Sequence, residues 1–129
     1  MKLLLDPCML LWAAAGILPK EAEKRVIDGN NTLYFSPASL WEVCIKKSLG
    51  RSDFKLDPEE FRRGLMDNQY LELPITSVHV LAINSLPPIH KDPFDRMLLA
   101  QAKAEGIALL TSDRFLAKYP APVIIIPGP

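Results

Sequence analysis

The chain is short of the residues that announce the commoner chemistries. Its two cysteines, Cys8 and Cys44, are too few for a disulfide framework and too far apart for a Cys-x-x-Cys metal pair. A reducing, cytoplasmic setting is therefore expected. His79 and His90 are the only histidines and no Gly-x-Ser-x-Gly elbow occurs, so no hydrolase triad can be assembled. Fifteen basic residues are balanced by fifteen acidic ones, which removes any global basic footprint for nucleic acid and leaves only a local patch. The run from Cys8 to Leu18 is too short to cross a bilayer, so no membrane partner is expected. The opening "MKLLLDPCMLLWAAAGIL" bears a faint likeness to a secretory leader, but Asp6 and Pro7 interrupt its apolar segment. Repeats and low-complexity linkers are absent as well.

What is present reads as a globular protein. Half of the residues are apolar and the charges are mixed, at a length suited to one domain, residues 1–129. Short apolar runs alternate with helical patterns, punctuated by proline and glycine. Strands are expected at Lys2–Leu5, Thr32–Ser36, Tyr70–Ile75, Ile107–Asp113 and Pro122–Pro127. Helices are expected from Pro7 to Gly16, Pro19 to Asp28, Ser36-Pro37 to Gly50, Asp57 to Asp67, Thr76 to Leu86, and Asp92-Pro93 to Gly106, with one turn at Arg114–Lys118. Near-continuous apolar strands separated by helices predict a parallel sheet covered on both faces, a three-layer α/β/α sandwich.

In such a sheet, sites form beyond the carboxyl ends of the strands. Asp6 follows the first strand and Asp113 closes the fourth; helix capping accounts for either alone. In "HKDPFDRMLLAQAKAEG", Asp92 before Pro93 is an N-cap by position. Asp95 then falls at the third helical position, where the helix dipole favours an acid only weakly. In "SPASLWEVCIKKSLG" the apolar stripe runs through Ala38, Trp41, Ile45 and Leu49, which puts Glu42 on its margin, with an i,i+4 partner in Lys46 as the plain alternative. Taken together, Asp6, Glu42, Asp95 and Asp113 converge on one sheet edge. Four unscreened carboxylates there would repel one another and take up protons. A hard divalent cation, Mg²⁺ or Mn²⁺, relieves that and can activate water against a phosphodiester.

These segments resemble the PIN-domain proteins, and closely the VapC-type toxins of bacterial type II toxin–antitoxin pairs. The likeness runs nearly end to end. It rests on "LLLDPCMLLW", "SPASLWEVCIKKSLG", "LPITSVHVLAINSLPPIHKDPFDRMLLAQAKAEG" and "LLTSDRFLAKY". The resemblance implies a PIN-like parallel sheet, an acidic Mg²⁺ or Mn²⁺ site built from Asp6, Glu42, Asp95 and Asp113, and endonucleolytic cleavage of RNA. It also implies that Thr111 and Arg96 help to position water or substrate. A cognate antitoxin, a homodimer, and promoter DNA bound only through the antitoxin complex follow from the same likeness. Relatives usually read Asp-Thr-His where this chain has Asp6-Pro7-Cys8. The substituted residues remove a backbone donor and replace an imidazole with a thiol, which is expected to be a small buried residue.

Lys46, Lys47, Arg51 and Arg96 are candidates to guide phosphates. Met9, Leu11, Trp12, Trp41 and Ile45 are expected in the core rather than in an antitoxin groove. A phosphoacceptor receiver domain is set aside, since it needs paired acids after the first strand and a lysine after the last. A catalytically weakened PIN-like binding module and an RNA-processing nuclease outside a toxin pair are the alternatives.

Overall fold

The computed structural model describes residues 1–50, 56–89 and 91–128, so Arg51 and His90 lie outside the described residues. Its strands are β1 (Lys2–Leu5), β2 (Thr32–Phe35), β3 (Leu71–Glu72), β4 (Ala108–Thr111) and β5 (Val123–Ile125). The helices are α1 (Pro7–Ala15), α2 (Lys20–Ile27), α3 (Pro37–Ser48), α4 (Pro58–Asp67), α5 (Ser77–Ala82) and α6 (Pro93–Glu105), with 3-10 turns at Ile83–Ser85 and Arg114–Lys118. All neighbouring strands pair in parallel, in the order β3-β2-β1-β4-β5. The expected α/β sandwich with a central parallel sheet is therefore present.

Strand alternation divides the core in two. On β1, Leu3 and Leu5 join a cluster with Met9, Leu10, Phe35, Phe61, Leu65 and Leu110, beneath α1, α2 and α4. Leu4, between them, faces the other way and packs with Leu98, Leu99, Leu109 and Leu116 beneath α6. The period of two in the pleat thus lets one apolar run serve both faces. Helix starts follow the expected chemistry: Asp6, Ser36, Asp57 and Asp92 each accept a hydrogen bond from a first-turn amide, with proline at the start of the helix. Gly106 closes α6 at φ 65°, a left-handed value that suits glycine.

Three expectations are corrected. The third strand shrinks to Leu71–Glu72, because it is an edge strand and Pro74 supplies no ladder donor. The helix expected over Thr76–Leu86 is α-helical only to Ala82 and finishes as a 3-10 turn ahead of Pro87-Pro88. The stripe on α3 is misplaced: Trp41, Ile45 and Leu49 are exposed, while Ala38, Ser39 and Val43 are buried. Trp41 instead meets Phe94 of α6 edge to face, with ring centroids 5.1 Å apart. Met9 is core as expected, and Leu11 and Trp12 pack against that core, whereas Trp41 and Ile45 are not core residues.

The division of β1 between two cores generates a contrast that urea denaturation can check. Leu4→Ala should cost about 2–5 kcal/mol, and Lys2→Ala, exposed on the same strand, should stay within about 0.5 kcal/mol.

Candidate functional site

Strand order reverses between β1 and β4, and the candidate site lies at the carboxyl ends of those two strands. The Asp6 amide donates to the Leu110 carbonyl at 3.1 Å, which extends the β1–β4 ladder by one residue and sets Asp6 beside the end of β4. Its carboxylate is almost fully buried and engaged on both oxygens. Oδ1 accepts from the Met9 amide at 2.9 Å, and Oδ2 accepts from the Thr111 hydroxyl at 2.5 Å. Thr111 Oγ1 in turn accepts from the Asp113 amide at 3.1 Å, while the Asp113 carboxylate accepts from the Phe115 amide at 2.9 Å. Both acids are thus caps, as expected of each singly, and they are also linked through one threonine.

Helices α3 and α6 complete the arrangement. Glu42 projects from the second turn of α3 and pairs with Lys46 at 3.0 Å. Asp92 caps α6 through the amides of Phe94, at 2.8 Å, and Asp95, at 3.2 Å. Asp6, Glu42, Asp95 and Asp113 all line one cleft of about 180 Å³. The sequence reading did not place four further residues in its wall, Pro7, Cys8, Asp92 and Ser112. Asp92 adds a fifth carboxylate, which its i,i+3 spacing to Asp95 foreshadows. Pro7, Cys8 and Ser112 complete the lining; Cys8 is exposed, which corrects the expectation of a buried thiol.

Burial raises the Asp6 carboxyl above the ordinary carboxylate range. The hydrogen bonds from Thr111 and Met9 oppose that rise, and the charges of Glu42 and Asp113 add to it. Desolvation and the Asp6 charge likewise raise the Cys8 thiol, against the pull of Lys46, and Glu42 and Asp95 push it further. The cleft is therefore a region of concentrated negative potential.

The two residues expected to position water or substrate have partners within the fold. Thr111 is fully buried and acts on Asp6. Arg96 is outside the cleft lining, and its guanidinium donates to the carbonyls of Pro87 at 3.0 Å, Ile83 at 3.3 Å and Leu86 at 3.4 Å. It clamps the turn that leads into α6.

The donor set is hard oxygen, which fits a divalent cation such as Mg²⁺ or Mn²⁺ and fits a soft ion poorly, Cys8 apart. Among the described residues no three Asp, Glu, His or Cys side chains are gathered to hold an ion as they stand. Few direct carboxylates around a small space suit an ion that keeps part of its water shell.

A second and larger hollow, of about 630 Å³, shares no lining residue with the acidic cleft. Leu18, Val26, Ile27, Phe61 and Leu65 give it apolar walls between α1, α2 and α4, and Glu23 and Glu60 add charge.

Comparison with known proteins gives a consistent picture. A family model described as PIN domain matches residues 3–122. No curated protein matches by sequence. Among solved structures, VapBC2 from Rickettsia felis, bound to a DNA fragment from its promoter, superposes with a TM-score of 0.73 over all of both chains at 15% identity. DNA-bound VapBC from Salmonella typhimurium gives 0.70 at 15% identity, over 97% of this chain and 98% of that one. A domain of a functionally unknown protein from Methanocaldococcus jannaschii gives 0.64 at 18% identity, over 99% and 92%. At these identities the likeness is one of fold.

The geometry carries two predictions. Asp6 protonates more readily in the folded chain than in the unfolded one, so the fold loses stability as pH rises from the ordinary carboxylate pKa through the raised one. Asp6→Asn should consequently raise the urea midpoint at neutral pH in chelator, and the gain should shrink as pH falls through that window. Arg96→Gln should destabilise the chain by about 1.5–3 kcal/mol, because charge-assisted bonds to backbone carbonyls are lost; thermal and urea unfolding report it.

Proposed function

The chain belongs to the PIN domain family, and on that footing we propose that it is the toxin of a type II toxin–antitoxin pair, a Mg²⁺- or Mn²⁺-dependent endoribonuclease formed by residues 1–129 as a single domain. The observation that carries this reading is the convergence of carboxylates from β1, α3, α6 and the end of β4 on one cleft at the sheet's switch point. Asp6, Asp95 and Asp113 would hold the ion, with Glu42 beside them. When bound, the ion activates water and neutralises charge gathering on a phosphoryl oxygen. Thr111 fixes the Asp6 carboxylate and Glu42 accepts a proton from the attacking water. Lys46 and Lys47, on the same helix, draw the RNA backbone towards the cleft.

The cognate antitoxin is the proposed protein partner. The apolar hollow between α1, α2 and α4 fits an amphipathic segment whose basic residues face Glu23 and Glu60. Exposed Trp41 and Ile45 on α3, with Val78 and Leu81 on α5, support a homodimer. Promoter DNA would be reached only through the antitoxin. The setting is cytoplasmic. Exposed Cys8 in the cleft, in place of an imidazole, is the one feature that favours a weakened binding module, and an RNA-processing role outside a toxin pair shares the same chemistry.

The test is cleavage of structured cellular RNA by the purified chain in Mg²⁺ or Mn²⁺, against EDTA. Cutting should require the ion and fall by at least about a hundredfold in Asp6→Asn and in Asp113→Asn. Undiminished metal-dependent cutting by Asp113→Asn would sink the site assignment. A parent chain inert towards several RNAs, yet bound by its antitoxin, would establish the binding-module reading instead.

A further inference from the structure

The Lys46 ammonium lies 3.0 Å from the Glu42 carboxylate, one turn further along α3. Glu42 lines the cleft and its side chain retains 18% of its exposure, against 36% for Lys46, so the pair straddles the boundary between cleft and solvent. The ammonium's charge also bears on the thiol of Cys8, which lines the cleft from α1. Half-exposed pairs of this kind are weak and exchange readily. A divalent ion in the cleft would both take up the negative charge of Glu42 and repel the ammonium.

Resting on the metal-site reading above, we infer that Lys46 is a resident counter-cation of Glu42, displaced by the divalent ion and thereby released to the RNA backbone. Ion binding and RNA binding are then coupled through one lysine, and the coupling is reciprocal. Lys46 is a positioning residue in this scheme. Removal of its charge has opposite effects on the two ligands, because the ion loses a competitor while the RNA loses a contact. A lysine with a merely structural role would not divide the two affinities in this way.

The experiment uses the full chain and its variants Lys46→Gln, Lys46→Arg and Asp113→Asn. Mn²⁺ binding is followed through the paramagnetic resonance of the free ion at low salt. Binding of a labelled RNA hairpin is followed by fluorescence anisotropy in EDTA and in Ca²⁺. Lys46→Gln should bind Mn²⁺ about fivefold more tightly, Lys46→Arg should match the parent, and Lys46→Gln should lose RNA affinity in Ca²⁺ far more than in EDTA. Equal or weaker Mn²⁺ binding by Lys46→Gln would overturn the inference, as would an equal loss of RNA affinity in both conditions. The two readings fail separately. Should the parent bind Mn²⁺, Asp113→Asn lose it and Lys46→Gln leave it unchanged, the metal site stands and only the exchange is lost. A parent that binds no Mn²⁺ removes both.

Discussion

The hydrogen bond from the Thr111 hydroxyl to the Asp6 carboxylate joins the ends of the two central strands, and the site is built around it. Asp6 is also the cap of α1, and Thr111 also accepts from the Asp113 amide. One buried polar chain thus fixes the start of a helix, the register of β1 against β4, and the positions of two acids far apart in sequence. Without that hydroxyl a nearly buried carboxylate would lose one of its two described hydrogen bonds, at a cost of about 1–3 kcal/mol for an unsatisfied group and more for a charged one. The constraint is energetic before it is chemical.

The other acids are made tolerable by different means. Asp92 and Asp113 each accept backbone amides at the start of a helical segment, and Asp95 sits in the first turn of α6, where the helix dipole favours negative charge. Glu42 has no such support, since it lies beyond the free amides of the first turn of α3. Its described compensation is the Lys46 ammonium. On the proposed exchange, that difference leaves one lysine, rather than the surrounding backbone, to govern how Glu42 answers to an incoming cation. Burial falls hardest on Asp6, the acid with least access to water.

Much of this was legible in the sequence because capping chemistry is local. Asp6-Pro7, Ser36-Pro37, Asp57-Pro58 and Asp92-Pro93 each announce a helix start through a side-chain acceptor followed by a residue that needs no donor, and each is one. Apolar strands between those starts fixed the parallel sheet. What was not legible lies where a side chain's partner is distant in sequence. Trp41 and Ile45 look like core residues by periodicity, but the buried side of α3 is chosen by α4 and α6, which no local pattern encodes. Arg96 looks like a free surface cation, and only the path of residues 83–87 reveals the carbonyls that it holds. Thr111 reads as part of an acidic motif, whereas its partner lies 105 residues away.

The departure at Pro7-Cys8 can be weighed on the same grounds. Proline at the first helical position removes an amide that has no intrahelical acceptor, so α1 loses nothing by it. The donors that orient Asp6 are the Met9 amide and the Thr111 hydroxyl, neither of which belongs to residue 7 or 8. The hydrogen bonds that orient the first acid therefore do not draw on those two positions. What does change is the wall of the cleft, where a solvent-accessible thiol, its pKa held up by partial desolvation and by the Asp6 charge, offers neither the basic nitrogen of an imidazole nor a ready thiolate. The substitution bears on the cleft's surroundings, and the carboxylate scaffold does not depend on it.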